Sequence, residues 1–252
     1  MKQRAGLSKS TQVILAATGL IVCLTWSGSA AAPRRTQNEP RPFTEDFMLQ
    51  RCTFTPTGAN PFFSLQPGHQ LILQSEQDGE VEEVVITVLH DTENISAGAL
   101  GTVRTRVVEE RESLGGELVE VSRNFFAICA ETNDVVYFGE DVDIFEDGEL
   151  MSHEGAWRAG QNGARPGIIM PGTYLLGARY FQELAPGVAL DRAENMRMNL
   201  AVTVPAGTFE NSVMIVETSG LSSSDKTTKF YAPGVGLIVD SQARLVAWHP
   251  AE

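Results

Sequence analysis

The sequence predicts an all-β, mainly antiparallel fold: a curled meander, half-barrel or sandwich with few short helices. Three observations carry this. Hairpin signals recur at Asp78-Gly79, Gly115-Gly116 and Asp147-Gly148, residue types that supply the positive φ of a two-residue turn. Between them lie runs rich in Val, Ile and Phe that alternate with a period of two. No segment sustains an amphipathic helical period and there is no fixed repeat. Hairpin after hairpin with one face to bury implies a sheet that curls on itself.

Lys2, Arg4 and Lys9 precede an apolar run over residues 13–26, and small residues follow up to Ala32. This pattern makes residues 1–32 a signal peptide, cleaved on export to the periplasm or the exterior. The run is too short for a stable spanning helix, so no membrane span is expected after cleavage. Residues 33–51 carry Pro33, Pro40 and Pro42 without apolar period and read as a flexible linker. Residues 52–252 read as a single β domain, a length that one core can serve.

Within that domain, Pro56, Pro61 and Pro67 punctuate the entry, and Phe62 and Phe63 dock it on the core edge. Residues 70–76 and 81–89 pair across Asp78-Gly79. His90 to Asn94 is expected to open a loop. Residues 98–112 hold Val103, Val107 and Val108, with a strongly charged face expected in solvent. Residues 118–129 alternate through Val121, Phe125, Ala127 and Cys129, the face expected inward. A compact strand follows over 135–138, then a hairpin of 142–145 with 149–151. Residues 155–172 form a Gly/Pro-rich strap around Trp157. Residues 174–184 fit strand or helix, with Gly172, Gly177 and Gly187 arguing for extended pieces. Strands over 190–204, 213–218, 227–231, 235–240 and 244–248, with turns at Pro205 and Pro233-Gly234, complete the meander.

The chain has 19 Lys and Arg against 32 Asp and Glu, a net charge of −13; loss of Lys2, Arg4 and Lys9 makes it −16. Such a balance repels nucleic acid and anionic headgroups, and suits cationic partners. Cys52 and Cys129 are the cysteines of the expected mature chain. Two thiols in an oxidising compartment predict one disulfide.

The block AICAETNDVVYFGEDVDIFEDGELMSHEGAWRAGQNGARPGIIMPG, followed by LLGARYFQELAPGVALDRAE, resembles an uncharacterised family of exported bacterial β-sheet proteins. The phrases VPAGTFENSVMIVETS and KFYAPGVGLIVD resemble a wider set of periplasmic and lipoprotein β domains. That set includes proteins similar to the pilus-associated lipoprotein family, some of them curled half-barrels. The resemblance implies export and a β architecture, and brings no functional residues with it.

Three groups of residues are candidates for chemistry. Glu140, Asp141 and Asp143 lie in an acidic hairpin whose oxygens suit Ca²⁺, although no cofactor is required; a solvated hairpin face is the competing reading. His153 and Glu154, beside Trp157, offer a general base, against a plain loop histidine. Trp157, Arg158 and Arg165 stand on the strap, where a long ordered loop can bind a ligand or merely cover the sheet. No serine-hydrolase pentapeptide, P-loop or dinucleotide fingerprint is present. The expected function is a non-enzymatic, exported binding or envelope-associated domain that holds a small apolar or amphipathic ligand. An extracytoplasmic hydrolase and a calcium-stabilised structural module are the alternatives.

Overall fold

The structure, a computed structural model, describes residues 41–222 and 224–251. The expected signal peptide over 1–32 and the expected linker residues 33–40 lie outside the described residues. The strands are β1 (Phe54–Thr55), β2 (Ala59–Asn60), β3 (Phe63–Ser64), β4 (Gln70–Gln77), β5 (Glu80–Ser96) and β6 (Thr102–Leu114). They continue with β7 (Glu117–Cys129), β8 (Val135–Glu146), β9 (Glu149–Ser152), β10 (Trp157–Arg158), β11 (Arg165–Met170) and β12 (Arg179–Phe181). The rest are β13 (Glu183–Leu184), β14 (Asp191–Val204), β15 (Gly207–Ser219), β16 (Lys226–Ala232), β17 (Gly236–Asp240) and β18 (Ala243–His249). Helix among the described residues is confined to 3-10 turns at Leu49–Arg51 and Gly98–Leu100.

The fold is all-β and antiparallel, a nearly closed half-barrel. Two meanders build it: β4 to β8, and β14 to β18. They join where β18 pairs with β4, His249 opposite Gln70 and Arg244 opposite Gln74. The remaining gap, between β8 and β14, is filled by short strands. β11 pairs with β8 and β13, and β12 pairs with β14. Only Gln182 separates β12 from β13, so the two ends of the sheet meet at one residue. Gly167 on β11 makes that seam possible, since a Cβ there would lie 2.5 Å from the Phe181 carbonyl oxygen. Closure leaves few bare strand edges.

The predicted hairpin turns stand. Asp78 and Gly79 both take positive φ, 53° and 87°, which matches the twist of the flanking strands. Three expectations are corrected, and the open strand-or-helix reading of residues 174–184 is decided for the extended pieces that the glycines favour. First, His90 to Asn94 is not a loop: β5 runs through it, with an irregularity between Val88 and Thr92. The buried Arg106 explains this. Its guanidinium donates to the carbonyls of His90 at 2.7 Å and Asp91 at 3.2 Å, and to Thr57 Oγ1 at 2.7 Å. Backbone acceptors freed by the irregularity are thereby satisfied. Second, residues 135–138 and 142–145 are one strand, β8. Gly139, at φ 139°, lets β10 approach where a Cβ would meet the Trp157 carbonyl oxygen at 2.4 Å. Residues 174–184 contain short strands and no helix. Third, residues 41–51 are docked, and the ordered chain begins no later than Arg41. Thr44 exchanges backbone bonds with Arg179 and Phe181, at 2.8 and 2.9 Å, along the free edge of β12. The Phe43 ring lies under the guanidiniums of Arg179 at 3.9 Å and Arg192 at 4.8 Å. A segment held by backbone bonds, the Phe43 ring and the isolated apolar anchors Phe47 and Leu49 shows no apolar period, so its composition resembles a linker.

Cys52 and Cys129 are joined in a disulfide, with their Cα atoms 5.0 Å apart. The bond ties the entry segment to the end of β7, where β1 pairs with it. Its ends are 77 residues apart in sequence. Replacing both cysteines by alanine is expected to lower the urea-unfolding free energy by about 4 kcal/mol. A loss below about 1 kcal/mol would show that the crosslink does not constrain the unfolded chain.

Candidate functional site

Strand alternation decides what the closed sheet encloses. On β6, Val108, Glu110 and Glu112 share a face, opposite Val88, Ile86 and Val84 of β5. On β7, Asn124, Ser122 and Glu120 stand against the same three residues. On β8, Glu140 stands opposite Asn124. The second meander sends in Glu217, Lys229 and Tyr231, and the seam adds Gln182 and Glu183. The result is a cavity of about 250 Å³ inside the sheet. Phe63, Leu71, Ile86, Val88, Phe126 and Leu237 form its apolar part. Glu110, Glu140, Glu183, Asp191, Glu217 and Lys229 form its ionisable part. Two shallower hollows continue it outward. One shares Glu140, Asp191, Glu217 and Lys229 and is rimmed by the exposed Val188 and Leu221. The other shares Glu110 and reaches Glu82 and Glu112.

The strongly charged face of β6, expected in solvent, is therefore in part an inner wall. Its acidic side chains are compensated unequally. Lys229 Nζ lies 3.0 Å from Glu217 Oε2 and 3.2 Å from Asp240 Oδ2. Gln182 Nε2 donates to Glu217 Oε1 at 2.7 Å. Burial works against the Lys229 ammonium, but Glu217 and Asp240 overcome it and hold its pKa well above the ordinary lysine value. Glu110, Glu140, Glu183 and Asp191 make no ion pair among the described residues. Burial pushes Glu110, Glu112 and Glu140 up to about 7, because the charged form loses water. It lifts Glu183 well above the carboxylate range, with the Asp191 charge adding to the rise, and raises Asp191, where Glu217 adds to the rise and hydrogen bonds with Ser219 and Glu183 oppose it. Lys229 opposes the rise of Glu110 but does not cancel it. Glu110 is enclosed by protein yet only half-buried, because it faces open cavity instead of packed atoms.

An aromatic row begins at the cavity wall with Phe63, Phe126 and Tyr137 and ends behind it at Trp157. Ring centroids are 5.2 Å apart for Phe63–Phe126, 4.7 Å for Phe126–Tyr137 and 5.2 Å for Tyr137–Trp157. The Tyr137 hydroxyl donates to Asn124 Oδ1 at 2.5 Å. Trp157 pairs with Glu140 across β10 and β8. Its indole N–H is close enough to oppose the rise of Glu140, yet makes no hydrogen bond of normal geometry with any described residue. His69 donates through Nε2 to the Val235 carbonyl at 2.7 Å, and burial lowers its pKa, so it lines the cavity as a neutral ring.

The residues singled out from the sequence do not form one site. Asp141 and Asp143 face outward while Glu140 faces inward, so these three carboxylates do not converge. Asp141 is held by Arg158 at 2.7 Å, and Asp143 by Arg123 at 3.1 Å and His153 at 2.8 Å. His153 also contacts the Val142 carbonyl at 2.9 Å, and both it and Glu154 are exposed, outside the cavity lining. On the strap, Trp157 is buried against Tyr137 outside the cavity lining, and with Asp141 and Arg158 it borders a separate hollow reaching Pro186 and Val188. Arg158 lies over the Phe125 ring at 4.1 Å. Arg165 is an exposed partner of Glu45 at 2.8 Å. Among the described residues, Cys52, Cys129 and Glu131 are the grouping with metal-ligand proximity, and both sulfurs are committed to the disulfide. Glu110, Glu183, Asp191, Glu217 and Lys229 escaped the sequence reading. Their available signal was strand parity: Val108, Glu110 and Glu112, like Thr227, Lys229 and Tyr231, fall on single faces.

No family model, curated protein or solved structure matches the chain.

Two outcomes follow from the buried charges. The raised carboxyls bind more protons in the folded than in the unfolded chain between about pH 4.5 and 7. Their contribution to stability is thus complete below the unfolded value and is lost as pH rises through the folded one. The melting temperature is expected to rise, by on the order of 5 °C, when pH falls from 8 to 5.5; a fall over that range would contradict the assignment. Lys229→Met leaves Glu217 and Asp240 without their cation and is expected to cost about 3 kcal/mol at pH 8, less at pH 5.5. Denaturant unfolding at the two pH values measures both, and an equal cost at each would refute the charge argument.

Proposed function

We propose that this is a non-enzymatic binding protein, exported to the periplasm or the exterior, that carries a small amphipathic molecule inside its half-barrel. The observation behind this reading is the half-open cavity, apolar on one part of its wall and ionisable on the other. Ligand sites combine these two features: apolar walls supply affinity, and a few placed polar groups fix orientation. At about 250 Å³ the cavity falls just under the ~300–1,000 Å³ of drug-sized sites, which favours a metabolite-sized ligand over a whole lipid. Val188 and Leu221 at the rim give an apolar body a surface on which to enter. Export draws support from the N-terminal pattern, and the Cys52–Cys129 bond suits an oxidising compartment.

A second reading is favoured by the carboxyls near 7. Groups poised near the working pH suit general acid–base chemistry, which would make the cavity an active site. It differs from the hydrolase alternative read from the sequence, since His153 and Glu154 lie outside the cavity.

The test is mass spectrometry of the exported protein, native and then denatured. A discrete excess mass, released on denaturation and lost from a variant with Val88→Trp filling the cavity, is the expected result. Identical masses, together with no thermal shift in a metabolite panel, would overturn the binding reading.

A further inference from the structure

We infer that the molecule held in the cavity is an organic cation: an ammonium or similar group, held between Glu110 and Glu140, on an apolar body lying along the aromatic row. This rests on the ligand-binding reading above and names its chemistry.

The charge count points this way first. The single ammonium of the cavity, Lys229, is already shared by Glu217 and Asp240. Glu110, Glu140, Glu183 and Asp191 remain without a cation among the described residues. Lys229 also shows what the enclosure accepts, since it is an alkyl ammonium lodged between carboxylates. Second, Phe126 and Tyr137 line the cavity together with Glu140, and Trp157 pairs with Glu140 across β10 and β8. Aromatic faces carry negative potential, and their combination with carboxylates is the usual chemistry of organic-cation sites. Third, the Trp157 indole N–H is buried, with the residue 6% exposed, and has no partner. An unpartnered buried donor is costly. Glu140 is the carboxyl within its reach and accepts more strongly when ionised, so an occupant that ionises Glu140 also strengthens the hydrogen bond open to Trp157.

A bare metal ion fits less well. Ca²⁺ needs six to eight oxygens converging within about 2.6 Å of one point. Among the described residues no three carboxylates of the cavity come together in metal-ligand proximity. Carboxyls spread along a wall suit an extended organic ion.

Proton balance follows. Facing Glu110 are Glu120, Glu140, Asp240 and Lys229. Facing Glu140 are Glu120, Asp191, Tyr137 and Trp157. Below about pH 7 the empty cavity holds protons on these carboxyls. When an ammonium enters as R–NH₃⁺, the carboxyl beside it ionises and its proton leaves to solvent, so one positive charge replaces another. For one linked carboxyl titrating near 7, affinity rises about tenfold between pH 6 and pH 8.

Isothermal titration of the exported protein with hexylamine, hexan-1-ol, hexanoate and Ca²⁺, at pH 6 and pH 8, tests this. Hexylamine is expected to bind at least tenfold more tightly than hexanol at pH 8, and about tenfold less tightly at pH 6. Hexanoate is expected to show no heat. Proton release should appear as a dependence of the heat on the ionisation enthalpy of the buffer. Glu110→Gln and Glu140→Gln remove a buried charge and are expected to keep the fold. Each should weaken hexylamine and flatten its pH dependence while leaving hexanol unchanged. Hexanol or hexanoate binding as tightly as hexylamine would overturn the cation inference and leave the binding reading standing. Ca²⁺ displacing hexylamine, or binding where hexylamine does not, would also overturn it. Silence from all four probes, in protein whose native mass still carries a releasable ligand, would reject the cation and retain the carrier. Silence without such a mass would reject both.

Discussion

Because the sheet returns on itself at Gln182, one face of every long strand becomes an interior, and an interior restricts the charge its side chains can carry. A carboxylate moved out of water without a partner costs several kcal/mol even after relaxation, so it must be paired, protonated or kept wet. All three answers occur here. Glu217 and Asp240 share the Lys229 ammonium. Glu110, Glu112 and Glu140 take pKa values near 7 and exchange charge for a proton. Glu110 also faces open cavity, which limits the desolvation it suffers. The cavity is thus the volume that acidic side chains on inward faces leave unfilled, where apolar ones would have packed.

The outer surface obeys the opposite rule. Asp141 and Asp143 sit one residue on either side of the inward-facing Val142, and each meets a cation in or near water. Pairs of that kind orient side chains more than they stabilise the fold. Arg158 does more, because it covers Phe125 and donates to the Glu140 carbonyl at 2.8 Å, fixing the backbone next to the cavity. Strap and sheet therefore cooperate: Arg158 anchors β10 outside while Trp157, its neighbour, packs behind the wall against Tyr137.

Much of the architecture was legible in the sequence, and the reasons differ by element. Turns were readable because Asp-Gly and Gly-Gly impose a backbone conformation with little dependence on tertiary context. The pairing of Cys52 with Cys129 was readable by elimination. The site was not, because β6 carries apolar and acidic residues on both of its faces. Val107 with Glu109 faces one way, and Val108 with Glu110 the other, so alternation gives two equally good answers. Only closure of the sheet, a long-range property, selects between them. The His90–Asn94 irregularity likewise depends on Arg106, a partner distant in sequence, and residues 41–51 depend on an edge that forms only once β12 is in place. In each case a local pattern was correct and a remote partner decided its meaning.

The central claim is that the interior carboxyls hold protons near neutral pH and give them up to a bound cation. A ¹³C NMR titration of the glutamate side-chain carboxyls, with Glu110 and Glu140 assigned through their Gln variants, addresses it directly. Both are expected to titrate near pH 7 in the empty protein and to shift to lower pH when hexylamine is present. Midpoints near the ordinary glutamate value of about 4.3 in both conditions would mean that the cavity is open to bulk water and that its acidic wall is ordinary surface.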